Sequence, residues 1–192
     1  MRLPYDLVVF DLESEGANII EIGAVRFLRN GTVEDSFQSF VNVNIPLSEH
    51  IKKLTNIKDS DLEKAPSFKQ AMEEFYKWSI QKSKNVILCS WGSGDVRELR
   101  AECSIRGIEF PFRNKALDAG SIFIWMSTML GGEKGSDSLT SAIQRRDMKF
   151  LGIPHSALAD ATNTALLLQD LWKQYDSNLI GILTSLKNLG VK

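Results

Sequence analysis

Asp11 and Glu13 stand two residues apart at the end of the run DLVVFDLE, residues 6–13. Alternate side chains of a strand share a face, so both carboxylates emerge together. Side by side they repel unless a cation lies between them, and paired carboxylate oxygens suit a hard divalent ion. The same D-x-E spacing recurs at Asp61 and Glu63, but there it follows polar residues. The first pair instead ends an apolar strand, where open α/β sheets carry their ligand sites. Asp95 follows the run WGSG. Taken alone it is a carboxylate at a helix start, favourable against the helix dipole, and Gly92-Ser93-Gly94 is too short to identify a phosphate cradle. His155 and Asp160 give Asp95 company, and the chain has only 2 histidines. Pro154 holds His155 near a helix start, and Asp160 lies about one turn further in, so both side chains can approach one centre. His50, in a polar stretch, reads as a structural residue.

These residues need a scaffold. The β-branched and aromatic run 6–13 predicts a strand covered on both faces. After a polar turn at 14–17, residues 18–28 (NIIEIGAVRFL) predict a second strand, and Asn30-Gly31 predicts a hairpin into a third over 32–43. The third strand breaks strict alternation, which predicts a bulge. Residues 46–66 read as short helical turns, and Ser67 as the cap of a helix ending near Gln81. A buried strand over 85–90 leads into a helix from about Asp95 to Arg106. A short extended piece at 115–117 precedes Asp118, which caps a helix over 119–129. The glycine-rich loop 131–138 reads as an insertion, and helices are predicted over 138–150, 156–175 and 178–189. Three antiparallel strands, then alternating strands and helices, make a mixed α/β fold.

The 192 residues suit one compact domain, 1–192. Lysine and arginine number 23 against 24 acidic residues, so no overall basic surface draws nucleic acid. Local charge or bound metal must supply that attraction. Arg97, Arg100, Arg145, Arg146 and Lys149 read first as a solvated face. Cys89 and Cys103 lack paired spacing and read as buried thiols. No apolar run approaches the length of a membrane span, and acidic residues interrupt the first thirteen positions where a signal peptide would be apolar. A cytoplasmic location without membrane association is the expectation.

The ordered set FDLE with Asp11 and Glu13, W-G-x-x-D with Asp95, and H-x-A-x-x-D with His155 and Asp160 resembles the DEDDh 3′-to-5′ exonucleases. The intervening segments IIEIGAVRF, LTNIKDSDLEKAPSF and HSALADATNTALLL agree, and the likeness runs from about residue 5 to 172. It is most similar to the exoribonuclease branch of KapD-type and histone-mRNA 3′ exonucleases. The chain departs from that pattern at Glu15, Asn56 and Lys58, and in a shorter loop before His155.

The resemblance implies a ribonuclease H-like fold, with a mixed central sheet flanked by helices, and a two-metal hydrolysis of phosphodiesters. Two divalent ions roughly 4 Å apart stabilise attacking and leaving oxygens together. By the same resemblance Asp11 bridges both Mg2+ or Mn2+ ions, Glu13 and Asp160 complete one site, and Asp95 supports the other. His155 serves as general base, since histidine titrates near neutral pH. The substrate is the 3′ end of single-stranded RNA or DNA, RNA foremost, and the products are 5′-mononucleotides. Ser14, Glu15, Gly16 and Trp91 are candidates to hold the terminal nucleotide, although Trp91 also suits a core role. Glu21 is expected to orient the site. The alternatives are a DNA-directed exonuclease, a short-oligonucleotide scavenger and a non-catalytic nucleic-acid-binding module. A serine hydrolase is disfavoured because Trp91 and Asp95 occupy the glycine positions of G-x-S-x-G around Ser93. The apolar helical face of 178–189 predicts packing on the domain, as a monomer or homodimer; protein partners are not indicated.

Overall fold

The computed structural model describes residues 5–112, 116–129 and 138–188, with residues 129 and 175–188 described as backbone only. Five strands form one sheet in the order β3-β2-β1-β4-β5. They are β1 (Asp6–Glu15), β2 (Asn18–Phe27), β3 (Val33–Phe40), β4 (Val86–Ser90) and β5 (Ala116–Asp118). The first three pair antiparallel, while β4 lies parallel to β1 and β5 parallel to β4. The helices are α1 (Glu49–Thr55), α2 (Asp59–Leu62), α3 (Phe68–Ile80), α4 (Gly94–Ile105), α5 (Ala119–Met129), α6 (Leu139–Arg145) and α7 (Ala157–Asn188). No helix among the described residues is long and apolar enough to cross a membrane.

The near-continuous apolar content of β1 and β2 follows from helices on both faces of the sheet. Val8, Phe10 and Leu12 of β1 face α3 and α4, in one core with Ala71, Met72, Phe75, Val96 and Leu99. Leu7 and Val9 face the other way, in a second core with Ala119 of α5 and Ala165 and Leu168 of α7. Asp11 and Glu13 continue this second row, so the strand period aims both at the α7 layer. Burial of a large apolar side chain such as Phe75, with 0% exposure, contributes about 1.5–3 kcal/mol. This apolar frame offsets the cost of bringing like charges together at its edge.

Several boundaries differ from the sequence reading. β1 runs two residues further, to Glu15, so Ser14 and Glu15 are strand residues and the turn is confined to Gly16 and Ala17. The bulge expected in β3 is present, with Glu34 and Asp35 together opposing Arg26. A second one sets Ile20 out of register, between the pairs Glu13 with Glu21 and Ser14 with Ile19. The helix expected over 138–150 ends at Arg145. Asp147 adopts a left-handed φ of 53°, and the Met148 N–H donates to the Ile143 carbonyl at 3.1 Å, a hydrogen-bonded helix stop that apolar periodicity does not reveal. The two helices expected over 156–175 and 178–189 are one, α7, because Asp176 and Ser177 fit a helix as readily as a break. The loop 131–137 and the side chains of the C-terminal apolar face lie outside the described residues.

Candidate active site

The site is built at the C-terminal end of β1, where three elements converge. In the β1–β2 ladder Asp11 lies opposite Gly23 and Glu13 opposite Glu21. Gly23 is required by packing. A Cβ added there would fall 2.0 Å from the Leu158 nitrogen and 2.2 Å from the Ala157 carbonyl carbon. The first turn of α7 therefore rests directly on the β2 backbone, which brings Asp160, one turn in, over the Asp11–Glu13 row.

Glu21, 1% exposed, fixes that turn. Its Oε2 accepts the Ala157 N–H at 3.2 Å and its Oε1 accepts the Gln38 amide at 2.7 Å. Ahead of α7, the buried Asn163 holds the incoming loop: its Oδ1 accepts the Leu151 N–H at 2.9 Å and its Nδ2 donates to the Leu151 carbonyl at 2.8 Å. The chain then reverses at His155, whose φ of 64° is left-handed and whose N–H donates to Asp160 Oδ2 at 3.3 Å. As a result one donor atom from each of Glu13, His155 and Asp160 lies within 4.8 Å of the others. His155 is exposed.

Asp95 arrives from α4, in its first turn just beyond β4. It lies outside the Glu13–His155–Asp160 group and acts on Asp11, to which it is the largest charged influence. One turn further, Glu98 occupies the same helix face, and its carboxylate accepts the hydroxyl of Ser14. Another turn on, Glu102 accepts the Ile19 N–H at 2.8 Å, a donor that the β2 bulge leaves for it. α4 is thus tied to the β1–β2 end by a column of acidic residues spaced three and four apart. Sequence reasoning missed Glu98; the available signal was its i, i+3 relation to Asp95, which places the two on one helix face.

The electrostatics are those of an acidic centre short of positive charge. Burial, then Asp95, Asp160, Glu13 and Glu21, raise the Asp11 carboxyl well above the ordinary range. Burial and the neighbouring acids push Glu13 up to about 8. Asp95 is raised to about 6, chiefly by burial and then Glu98, against the opposing pull of its own backbone N–H and the Ser90 hydroxyl. Asp160 is also raised by burial, although the His155 N–H favours its charged form. Its Oδ1 is buried without a hydrogen-bond partner. A buried carboxylate oxygen left unsatisfied costs free energy unless something cationic takes it. The donor set and that free oxygen fit a divalent cation.

Of the other candidates, Ser14 faces α4, while Glu15 Oε2 accepts the Ser48 N–H at 2.6 Å at the start of α1. Gly16, with φ of 63°, forms the exposed turn with nothing within 4 Å of an added Cβ. Trp91 is half-buried and packs on Phe123 at 5.8 Å between ring centroids, a core placement. Arg146 is occupied by Asp170 at 2.6 Å, and Arg97 donates to the Ser93 carbonyl at 3.2 Å.

A mixed β3-β2-β1-β4-β5 sheet flanked by helices, with four carboxylates and an imidazole at one strand end, defines a ribonuclease H-like hydrolase. The sequence profile of the exonuclease family matches residues 6–168. The chain belongs to that family. It is 29% identical over 220 residues to Homo sapiens ERI1 exoribonuclease 2, covering 97% of this chain and 31% of that protein. It is 28% identical over 193 residues to the DNA polymerase III PolC-type protein of Caldanaerobacter subterraneus subsp. tengcongensis, covering 97% of this chain and 12% of that protein. The chain thus spans less than a third of the length of either relative. In three dimensions it is similar to the nuclease domain of 3′hExo, a DEDDh family member bound to rAMP, with TM-score 0.77 at 23% identity, covering 91% and 95% of the two chains. That likeness shows the fold.

Proposed function

We propose that this chain removes nucleotides one at a time from the 3′ end of single-stranded RNA, releasing 5′-mononucleotides. The observation that carries the reading is the buried, unpartnered Oδ1 of Asp160 beside Glu13 and His155, with Asp11 and Asp95 completing the acidic centre. Asp11, Glu13, Asp95 and Asp160 would hold two divalent ions, Mg2+ or Mn2+. Those ions would supply the positive charge that draws a phosphodiester to an acidic centre and stabilises its transition state.

The chain's own residues do the rest. A water oxygen attacks phosphorus, the bond from phosphorus to the 3′ oxygen of the penultimate nucleotide breaks, and that oxygen leaves on the shortened strand. His155 takes the water's proton, from a ring nitrogen within 4.8 Å of the Glu13 and Asp160 carboxylates. The backbone bond from His155 to Asp160 keeps base and carboxylate in register. Likeness to an exoribonuclease and to a nuclease domain bound to rAMP supports RNA. Likeness to a PolC-type DNA polymerase supports the second reading, a DNA 3′ end.

The test uses 5′-labelled RNA and DNA strands of one sequence with Mg2+ or Mn2+, and EDTA and Asp11→Asn as controls. A ladder shortening from the 3′ end, faster on RNA and abolished in both controls, is expected. If neither strand shortens while the protein binds Mn2+ and RNA, a binding module takes the place of the enzyme.

A further inference from the structure

α4 carries opposite charge on opposite faces. Glu98 and Glu102 bond to Ser14 and Ile19 at the β1–β2 end, and the helical period puts Asp95 on that same face. Ser93, Arg97 and Arg100 share the other face, where they border a cavity of about 140 Å3. Leu117 and Asp118, at the end of β5, close its far side. The space is roughly ten times what one water needs. Ser93 and Val96, both in its lining, bracket Asp95 in the first turn of α4, so the cavity and the acidic centre lie on either side of one helical turn. The crossing between them is open: Ser93 and Gly94 are exposed, and a Cβ added at Gly92 or Gly94 would meet nothing within 4 Å.

The polar lining suits an anion. Arg100 is half-buried with its guanidinium over the Phe110 ring at 4.8 Å, which holds its plane. Arg97 is exposed and donates from Nε to the Ser93 carbonyl at 3.2 Å, while its two terminal nitrogens have no partner among the described residues. Arg29, Arg106 and Arg146 each pair with a carboxylate, whereas Arg97 pairs with none among the described residues. Ser93 is the N-cap of α4, yet its hydroxyl makes no capping bond. The acid in the lining is already taken. Asp118 Oδ1 accepts the Gly92 and Ser121 N–H groups at 3.1 Å each, and its Oδ2 accepts the Ser121 hydroxyl at 2.9 Å. Two guanidiniums against that one carboxylate leave the lining net positive, beside a centre crowded with acids. Guanidinium N–H groups and a hydroxyl are the donors that phosphate oxygens accept from.

A strand shortened from its 3′ end offers such a phosphate. The terminal nucleotide is joined through the scissile phosphate alone, so every further phosphate lies upstream. A strand leaving the carboxylates over the bare start of α4 crosses about one helix width, about 10 Å, before its charge meets the arginines. We infer that the cavity lined by Ser93, Arg97 and Arg100 holds a backbone phosphate of the strand upstream of the scissile bond. The inference rests on the 3′-to-5′ exonuclease reading. Such a contact positions the strand without reading its bases, and it favours longer strands over the shortest. It also places the attraction for nucleic acid locally, as a chain with 23 basic and 24 acidic residues requires.

The experiment compares kcat/KM on an RNA hexanucleotide with kcat/KM on a dinucleotide, which has one phosphodiester and none upstream. The hexanucleotide is then remade with each upstream phosphate in turn replaced by a neutral methylphosphonate. The proteins are the wild type, Arg97→Ala, Arg97→Lys and Lys77→Ala, with Tm measured in parallel. Lys77 is an exposed cation in the last turn of α3, which leads to the start of β4 at the opposite edge of the sheet. In the wild type one upstream methylphosphonate lowers kcat/KM about fivefold, the upper range for an exposed charge pair. Arg97→Ala lowers the hexanucleotide-to-dinucleotide ratio by a similar factor, and in that variant the same methylphosphonate has no further effect. Its plot of log kcat/KM against log salt is shallower by about 0.7, one phosphate contact. Arg97→Lys keeps most of the ratio and Lys77→Ala all of it. A wild type indifferent to every upstream methylphosphonate overturns the inference while leaving the exonuclease intact. So do methylphosphonate effects that persist undiminished in Arg97→Ala, or an Arg97→Ala variant that slows both substrates equally. A wild type that shortens neither substrate overturns the exonuclease reading itself, and this inference with it.

Discussion

Gly23→Ala isolates the geometry that assembles the site. The added methyl carbon would lie 2.0 Å from the Leu158 nitrogen and 2.5 Å from its Cα, where ordinary contacts begin near 3.4 Å. Both obstacles are backbone, so rotation of a side chain cannot relieve them. The first turn of α7 must lift by about 1.4 Å, the gap between 3.4 and 2.0 Å. That turn carries Asp160 and is fastened to Glu21 through Ala157. A misplacement of about 1 Å at reacting groups costs on the order of a hundredfold in rate, and overpacking of this kind destabilises by about 1–3 kcal/mol. The matched control is Ile22→Val, one residue away and on the opposite face, which removes a methyl group from the other core at about 0.5–1.5 kcal/mol without touching α7. We expect kcat/KM for 3′-end trimming to fall at least a hundredfold in Gly23→Ala, with weakened Mn2+ binding. Ile22→Val should stay within a few-fold of wild type at a temperature where both are folded. Activity in Gly23→Ala equal to that of Ile22→Val would refute the account of how α7 delivers Asp160.

Charge crowding gives a pH signature in metal-free protein. Glu13 titrates near 4.5 when unfolded and about 8 when folded, so between those values the native state holds the extra proton. Stability in EDTA therefore falls as pH rises through that window, and a Tm series should show the decline, flattened in Glu13→Gln. Mn2+ should raise Tm more at pH 8 than at pH 5, and equal increments would count against a cation offsetting these carboxylates. Asn163→Ala strips both bonds from the Leu151 backbone, a loss of about 1–3 kcal/mol by denaturant titration, and should lower kcat through a loosened His155 loop. Arg26 is 0% exposed, pairs with Asp35 at 2.8 Å and donates to the Ser79 and Trp78 carbonyls that end α3. Arg26→Ala should cost about 3–5 kcal/mol in urea unfolding, and a loss under 1 kcal/mol would show those carbonyls finding other partners.

The sequence by itself determined the strands, because their signal is local. The apolar run ending in Asp11 and Glu13 predicts a covered strand with two carboxylates on one face, and β1 is that strand. Asn30-Gly31, the Ser67 cap and the Asp118 cap are local chemistry too, and each terminates or starts its element in the fold. Helix lengths were less legible. A left-handed residue at Asp147 ends α6 early, and nothing in Asp176 and Ser177 separates a helix break from its continuation in α7. The tertiary structure alone decided which side chains meet. Asp160 lies 149 positions beyond Asp11 in the chain, and what joins them is the absence of a Cβ at Gly23 and the carboxylate of Glu21 beneath Ala157. Glu98 became visible only with α4 docked, since its contact with Ser14 spans 84 positions. Periodicity reports which face of an element is buried; which element lies against that face depends on the close approach of backbones distant in sequence.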